Sequence, residues 1–208
     1  MDQYNTFDKK FKLFTIGDNK VGKSSIIKRY AEGIFNEETE KQIPGVDFKM
    51  KTINFQNKKI KLEIWYLVGR ETNIIYSSLY YKATSGFILV YDITDKQSFN
   101  NIDNWYMETT RTITPIEMSQ FYLPPVFILV GNKSDLEDKR EVLFKEGSDY
   151  ADSKGMKFIE TSAKIGDNIE DIFTKLCSEL LVKADKIVDK SEDINKSSRG
   201  FCTSCYSM

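Results

Sequence analysis

The residues best suited to chemistry lie early in the chain, where Gly17–Ser24 reads GDNKVGKS and fits the spacing G-x-x-x-x-G-K-[ST]. Its chemistry is anion capture. Glycine lets the backbone come close to a phosphate chain, and N–H groups at the start of the following helix converge on it. The backbone of Gly17, Asp18, Asn19, Lys20, Val21, Gly22, Lys23, Ser24 and Ser25 is expected to form this cradle. Lys23 would reach the outer phosphates, and the Ser24 hydroxyl would ligate Mg²⁺. An ordinary glycine turn has the same local look, so the assignment requires a strand before Gly17 and a helix from Lys23.

Two further segments have the composition of a purine reader: Asn132-Lys133-Ser134-Asp135, and Thr161 followed by Ser162-Ala163-Lys164. The Asp135 carboxylate can accept two hydrogen bonds only from a base edge that carries two donors, as guanine does. Adenine would leave that acceptor unpaired, which discriminates strongly. The Ala163 N–H is expected to donate to the guanine carbonyl oxygen. Taken singly, each segment also resembles an ordinary loop.

These residues need elements to hold them. Short apolar runs alternate with longer amphipathic ones, the signature of an α/β fold. Strands are predicted at Phe11–Ile16, Asp47–Phe55, Lys58–Tyr66, Gly86–Asp92, Val126–Gly131 and Lys157–Thr161. The runs FILVYD and VFILVG suit central parallel strands covered on both faces. Gln56 and Asn57 leave a two-residue hairpin spacing, which makes one edge strand antiparallel. Helices are predicted at Lys23–Tyr30, Thr72–Tyr81, Gln97–Thr112, Leu143–Lys154 and Ile169–Lys186, the last capped by Asn168. The expected architecture is a six-stranded, mostly parallel sheet with helices on both faces. All three candidate segments then follow carboxyl ends of strands, where open α/β sheets bind ligands.

Composition removes several alternatives. The chain has 208 residues and no histidine, so a histidine triad, zinc site or pH switch is excluded. Its 30 basic and 31 acidic residues offer no excess for a nucleic-acid polymer. Cys177, Cys202 and Cys205 do not make a disulfide framework, and Cys177 reads as an inert buried thiol. The start, MDQYNTFDKK, lacks a signal peptide's apolar run, and a reducing cytosolic setting is expected. Residues 1–9 read as an extension, 10–186 as the globular domain, and 187–208 as a flexible lipidated tail.

In order and spacing, GDNKVGKS, GNKSD and TSAK resemble the small GTPase superfamily. GVDF from Gly45, KLEIW from Lys61, LYYKAT from Leu79 and VYDITDKQSF from Val90 resemble its Rab branch. The resemblance implies a P-loop G domain that binds GTP or GDP with Mg²⁺ and acts as a switch in vesicle and membrane traffic. It also implies effectors, exchange factors and escort proteins as partners. The implied location is the cytoplasmic face of an intracellular membrane, or the cytosol when escorted.

The resemblance fails where the family reads the γ-phosphate. Its Mg²⁺-binding Thr is Ile43 here, followed by Pro44, and Thr39 lies four positions too early. The family's W-D-T-A-G-Q-E is WYLVGRE, from Trp65 to Glu71. Tyr66 therefore replaces the Asp that holds a magnesium water, and Glu63 points to the opposite face of the strand. Gly69 is retained and keeps its N–H for the γ-phosphate. Arg70 stands at the position of the water-orienting Gln; a guanidinium has no acceptor for that water, although it can lie against phosphate as a fixed charge. At Lys20 the family has a small residue, and the side chain is expected in solvent. Nucleotide binding is expected with weakened Mg²⁺ coordination and very slow hydrolysis. An activator-dependent GTPase and a non-catalytic binding module both fit. A phosphotransferase for small substrates is disfavoured by Asn132, Asp135 and TSAK.

The chain ends CYSM, a C-a-a-X box that would prenylate Cys205, with Cys202 as the second lipid site. One lipid alone anchors weakly, and Lys183–Arg199 carries five basic and four acidic residues, no polybasic patch. The segment Arg111–Pro125 is long for its place, and Ile113, Ile116, Met118, Phe121 and Tyr122 would form a contact patch or fold back onto the core.

Overall fold

The nearly continuous apolar runs Gly86–Asp92 (β4) and Val126–Asn132 (β5) pair in parallel at the middle of one sheet. The computed structural model describes residues 7–36, 45–68, 80–112 and 124–200, with side chains as far as Lys186. The other strands are β1 (Lys9–Ile16), β2 (Gly45–Phe55), β3 (Lys58–Val68) and β6 (Lys157–Thr161). Their order is β2-β3-β1-β4-β5-β6, antiparallel between β2 and β3 and parallel elsewhere. Gln56 and Asn57 both have positive φ, 49° and 59°, as a two-residue hairpin matched to strand twist requires.

Side-chain alternation along the strands builds a core on each face. Leu13, Leu62, Ile64, Val90 and Val130 pack with Ile26, Ile27 and Tyr30 of α1 (Lys23–Glu32) and with Ile172, Phe173 and Leu176 of α5 (Ile169–Gly200). On the other face, Phe14, Phe87, Leu89 and Tyr91 pack with Ile102 and Trp105 of α3 (Ile102–Thr112) and Ala151 of α4 (Phe144–Ser153). Cys177 is buried among apolar side chains, as its sequence context implied.

Three expectations change. The helix anticipated over Gln97–Thr112 is split into α2 (Lys96–Asn100) and α3 at Asn101. Asp95 caps α2 by accepting from the Gln97 and Ser98 N–H groups, while Asn101 donates from Nδ2 to Asp18 and accepts at Oδ1 from Gln97 of α2. Asn168 has a left-handed backbone (φ 56°) and donates its amide to the Glu160 carbonyl, so it ties α5 to the end of β6 instead of adopting the extended backbone of an N-cap. Finally, α5 runs to Gly200, past the boundary at Lys186 where a tether was expected. No proline or glycine interrupts residues 187–199, so a helix already nucleated by packing can propagate through them. Of the helix anticipated at Thr72–Tyr81, only Tyr80 and Tyr81 lie within the described residues, and they are helical.

Candidate nucleotide-binding site

Three loops leave the carboxyl ends of β1, β5 and β6, and a single side chain joins them. Asn132, 1% exposed, donates from Nδ2 to the Val21 carbonyl at 2.8 Å. Its Oδ1 accepts from the Ala163 N–H at 3.2 Å and from the Thr161 hydroxyl at 3.4 Å. The GDNKVGKS loop and the TSAK loop are thus held side by side through one side chain. The Ala163 N–H, expected to face a base carbonyl, is directed at Asn132.

Glycine is required where the loop is tightest. Gly17 has φ 140°, and a Cβ there would lie 2.1 Å from the Val90 carbonyl oxygen. Gly22 has φ 97°, with a Cβ 2.1 Å from Asn132 Nδ2. Lys20 also adopts positive φ (66°) and is exposed, as is Asn19. The Lys23 ammonium is buried and donates to the carbonyls of Gly17 at 2.9 Å and Asp18 at 2.6 Å, holding the loop closed over it. Ser24 and Ser25 occupy the first turn of α1. The Asp18 carboxylate faces away, accepting from Asn101 Nδ2 at 2.6 Å and Trp105 Nε1 at 2.8 Å. Only its backbone remains for an anion.

At the base end, Asp135 accepts from the Ser162 hydroxyl, which also accepts from the Ile165 N–H at 3.2 Å. A carboxylate has lone pairs for further donors, so this bond orients Asp135 without exhausting it. Lys133, left-handed at φ 68°, forms an ion pair with Asp92. Arg140 closes the 3₁₀ turn Ser134–Lys139 and forks onto both oxygens of Glu160 at 2.7 and 2.8 Å. Hydrogen bonds from Glu160 and then Glu137 push its guanidinium further above its ordinary range. That pair clamps the turn to β6.

Two arginines were invisible to motif reading. Arg29 donates from Nε to the Ala163 carbonyl at 2.9 Å, from Nη2 to the Lys164 carbonyl and from Nη1 to the Gly33 carbonyl at 3.0 Å. Arg29 lies 134 residues from Ala163, and Arg140 lies 20 from Glu160, so no local spacing announces either contact.

The γ-phosphate side differs. Ile43, Gly69 and Arg70 lie outside the described residues, as do Cys202, Cys205 and Ile113–Leu123. Tyr66 lies on β3 opposite Thr15, next to the start of the phosphate loop. Its ring is 1% exposed, and its hydroxyl donates to Asp47 Oδ2 at 2.7 Å. Glu63 is on the other face of β3, paired with Lys10 at 2.9 Å. Mg²⁺ takes oxygen ligands, usually carboxylates together with phosphates. Among the described residues Ser24 offers one hydroxyl there, and the buried Tyr66 phenol is committed to Asp47. Among the described residues no group of three or more acidic or sulfur side chains is placed to hold a metal ion.

An aromatic row not foreseen from sequence runs from the β2–β3 ribbon to the helical Tyr80. Phe48 stacks on Trp65 at 4.9 Å, Trp65 lies 6.1 Å from Tyr80, and Phe48 and Tyr80 are 44% and 39% exposed.

A family model described as Ras family matches residues 12–182. Ras-related protein Rab-8A of Gallus gallus is 41% identical over 182 residues, 87% of this chain and 83% of that protein. Ras-related protein Rab-13 of Mesocricetus auratus is 39% identical over 178 residues, covering 86% and 83%. GTP-binding protein ypt2 of Schizosaccharomyces pombe is 38% identical over 192 residues, covering 92% and 90%.

Proposed function

The chain belongs to the Ras family as a Rab-like small GTPase, and on that premise we propose that it holds GTP or GDP between its three loops while cleaving GTP very slowly. A GTP-dependent switch in membrane traffic is what this family membership implies. The observation that carries the binding half is Asn132, which joins the phosphate loop to the base loop. With nucleotide in the cleft, the N–H groups of residues 17–25 and the Lys23 ammonium bind phosphate. Asp135 accepts from the guanine edge, held in orientation by Ser162.

The observation that carries slow turnover is Tyr66. Its buried phenol, tied to Asp47, replaces a carboxylate beside the phosphate loop. Arg70 offers no acceptor to orient an attacking water. The donors at Ser24 and Tyr66 suit Mg²⁺ poorly, since one hydroxyl and a committed phenol replace the oxygen set it prefers. These departures equally favour a second reading, a binding module that never cleaves GTP and recruits partners to a membrane by nucleotide exchange alone. In both readings effector proteins dock on the Phe48–Trp65–Tyr80 row. Cys205 and Cys202 carry lipid.

The test is to identify the nucleotide on purified full-length protein, then follow labelled GTP through a single turnover with and without Mg²⁺. Retention of uncleaved GTP is expected in both conditions. Cleavage at the usual unassisted rate of small GTPases, on the order of 10⁻⁴ s⁻¹, refutes the slow-turnover reading.

A further inference from the structure

We infer that Arg29 is a positioning residue for guanine selectivity, bracing the base-reading loop against the helix that carries the phosphate cradle; this rests on the nucleotide-binding reading above. The helix α1 begins at Lys23 and Ser24, so its first turn belongs to the phosphate end. Arg29, farther along the same helix, reaches across to the carbonyls of Ala163 and Lys164. Its Nη1 donates to the Gly33 carbonyl just past the end of α1. A planar guanidinium can satisfy carbonyls in such fixed directions at once, which an ammonium cannot.

What Arg29 holds is the hub of the base site. Ser162, adjacent to Ala163, donates to Asp135. The Ala163 N–H donates to Asn132 Oδ1, and Asn132 in turn holds Val21 of the phosphate loop. Gly166, in the following turn, has a left-handed backbone and approaches the Arg29 stem, a Cβ there lying 3.9 Å from Arg29 Cδ. The loop's own turn adds the Gly166 N–H to the Ser162 carbonyl at 2.8 Å and the Ser162–Asp167 bridge. Arg29 supplies the cross-brace from α1 to the Ala163 and Lys164 carbonyls. Releasing those two carbonyls loosens Asp135 through Ser162 while leaving the loop 17–24 and Lys23 in place.

The consequence is selective. Weakening the base end slows nothing at the phosphate end, so GDP affinity falls while the affinity for a poorly recognised base does not. The experiment uses full-length wild type, Arg29→Ala and Arg29→Lys. For each, displacement of fluorescent GDP by GDP and by ADP is titrated, and the melting temperature of nucleotide-free protein is recorded. With charge-assisted hydrogen bonds lost, GDP affinity is expected to fall about tenfold in Arg29→Ala, with ADP unchanged and the GDP-over-ADP preference reduced by the same factor. Arg29→Lys keeps the charge without the fork and should fall between. Equal losses for GDP and ADP, or a lower melting temperature with the preference intact, overturn the inference and leave Arg29 a structural residue. Should Arg29→Ala fail to fold, Arg29→Lys decides by the same ratio. A wild type that does not prefer GDP over ADP overturns the nucleotide reading and the inference together.

Discussion

Replacing Asn132 with alanine tests the claim that one side chain joins both ends of the cleft. The residue is 1% exposed, so its partners have no water to turn to. Deletion strands the Val21 carbonyl, bonded at 2.8 Å, and the Ala163 N–H, bonded at 3.2 Å; the Thr161 hydroxyl at 3.4 Å counts for little. An orphaned buried polar group costs about 1–3 kcal/mol, so two of them cost roughly 3 kcal/mol. For a chain of this size that is a fall of roughly 6–12 °C in melting temperature. Circular dichroism on nucleotide-free protein measures it. Saturating GDP supplies the second reading. At a hundred times Kd a ligand adds about 2.7 kcal/mol to stability, and most of this disappears if Asn132→Ala weakens GDP binding a hundredfold. A nucleotide-free melting temperature within about 2 °C of wild type would refute the reasoning, because the two loops would then be held together by something else.

Other outcomes follow from single contacts. Gly17→Ala forces a Cβ to within 2.1 Å of the Val90 carbonyl, whereas Gly33, also left-handed, has nothing within 4 Å of its Cβ position. Gly33→Ala should therefore cost only about 1 kcal/mol in urea unfolding, and Gly17→Ala clearly more with loss of GDP binding; equal costs would contradict the contact. Tyr66→Asp restores the family residue, yet it removes a ring that is 1% exposed and brings a carboxylate into its place. A loss of about 3–5 kcal/mol is expected, seen as insoluble or partly unfolded protein, and a soluble variant of wild-type stability would show that the slot is roomier than its packing implies. Burial pushes the Cys177 thiol up to about 12. At pH 8 its thiolate fraction is on the order of one in ten thousand, so peptide-resolved alkylation should leave Cys177 unmodified until denaturant is added.

Much of this fold was legible because strand and helix periodicity are local. The runs FILVYD and VFILVG announced buried central strands, and Gln56-Asn57 announced the hairpin that both positive φ values fulfil. The site was legible in part for the same reason: GDNKVGKS carries its own geometry, with glycines where no Cβ fits. What sequence could not show were bonds across the fold. Nothing near Asp18 says that its carboxylate turns to Asn101 and Trp105, more than 80 positions away, instead of to the cleft. At the break between α2 and α3 Asn101 bonds both ways, its Nδ2 reaching Asp18 across the fold while its Oδ1 accepts from Gln97 of α2. Beyond Lys186 the polar composition read as a tether, but α5 enters that stretch already nucleated and meets no proline to stop it.

The retained and altered halves of the cleft differ in how many groups each function needs. Holding a nucleotide draws on residues that also hold the fold: Asn132 joins loops, Gly17 and Gly22 admit no side chain, and Lys23 satisfies loop carbonyls. Losing any of them costs stability before it costs affinity. Orienting a water for attack depends on a few side chains that packing does not need, so they can change without unfolding the chain. Tyr66 carries the change one step further, because its ring has entered the core and its hydroxyl has bonded Asp47. A carboxylate returned to that position would no longer find a polar niche. The tyrosine at position 66 is thus secured by packing, which is why its reversal to a carboxylate costs stability.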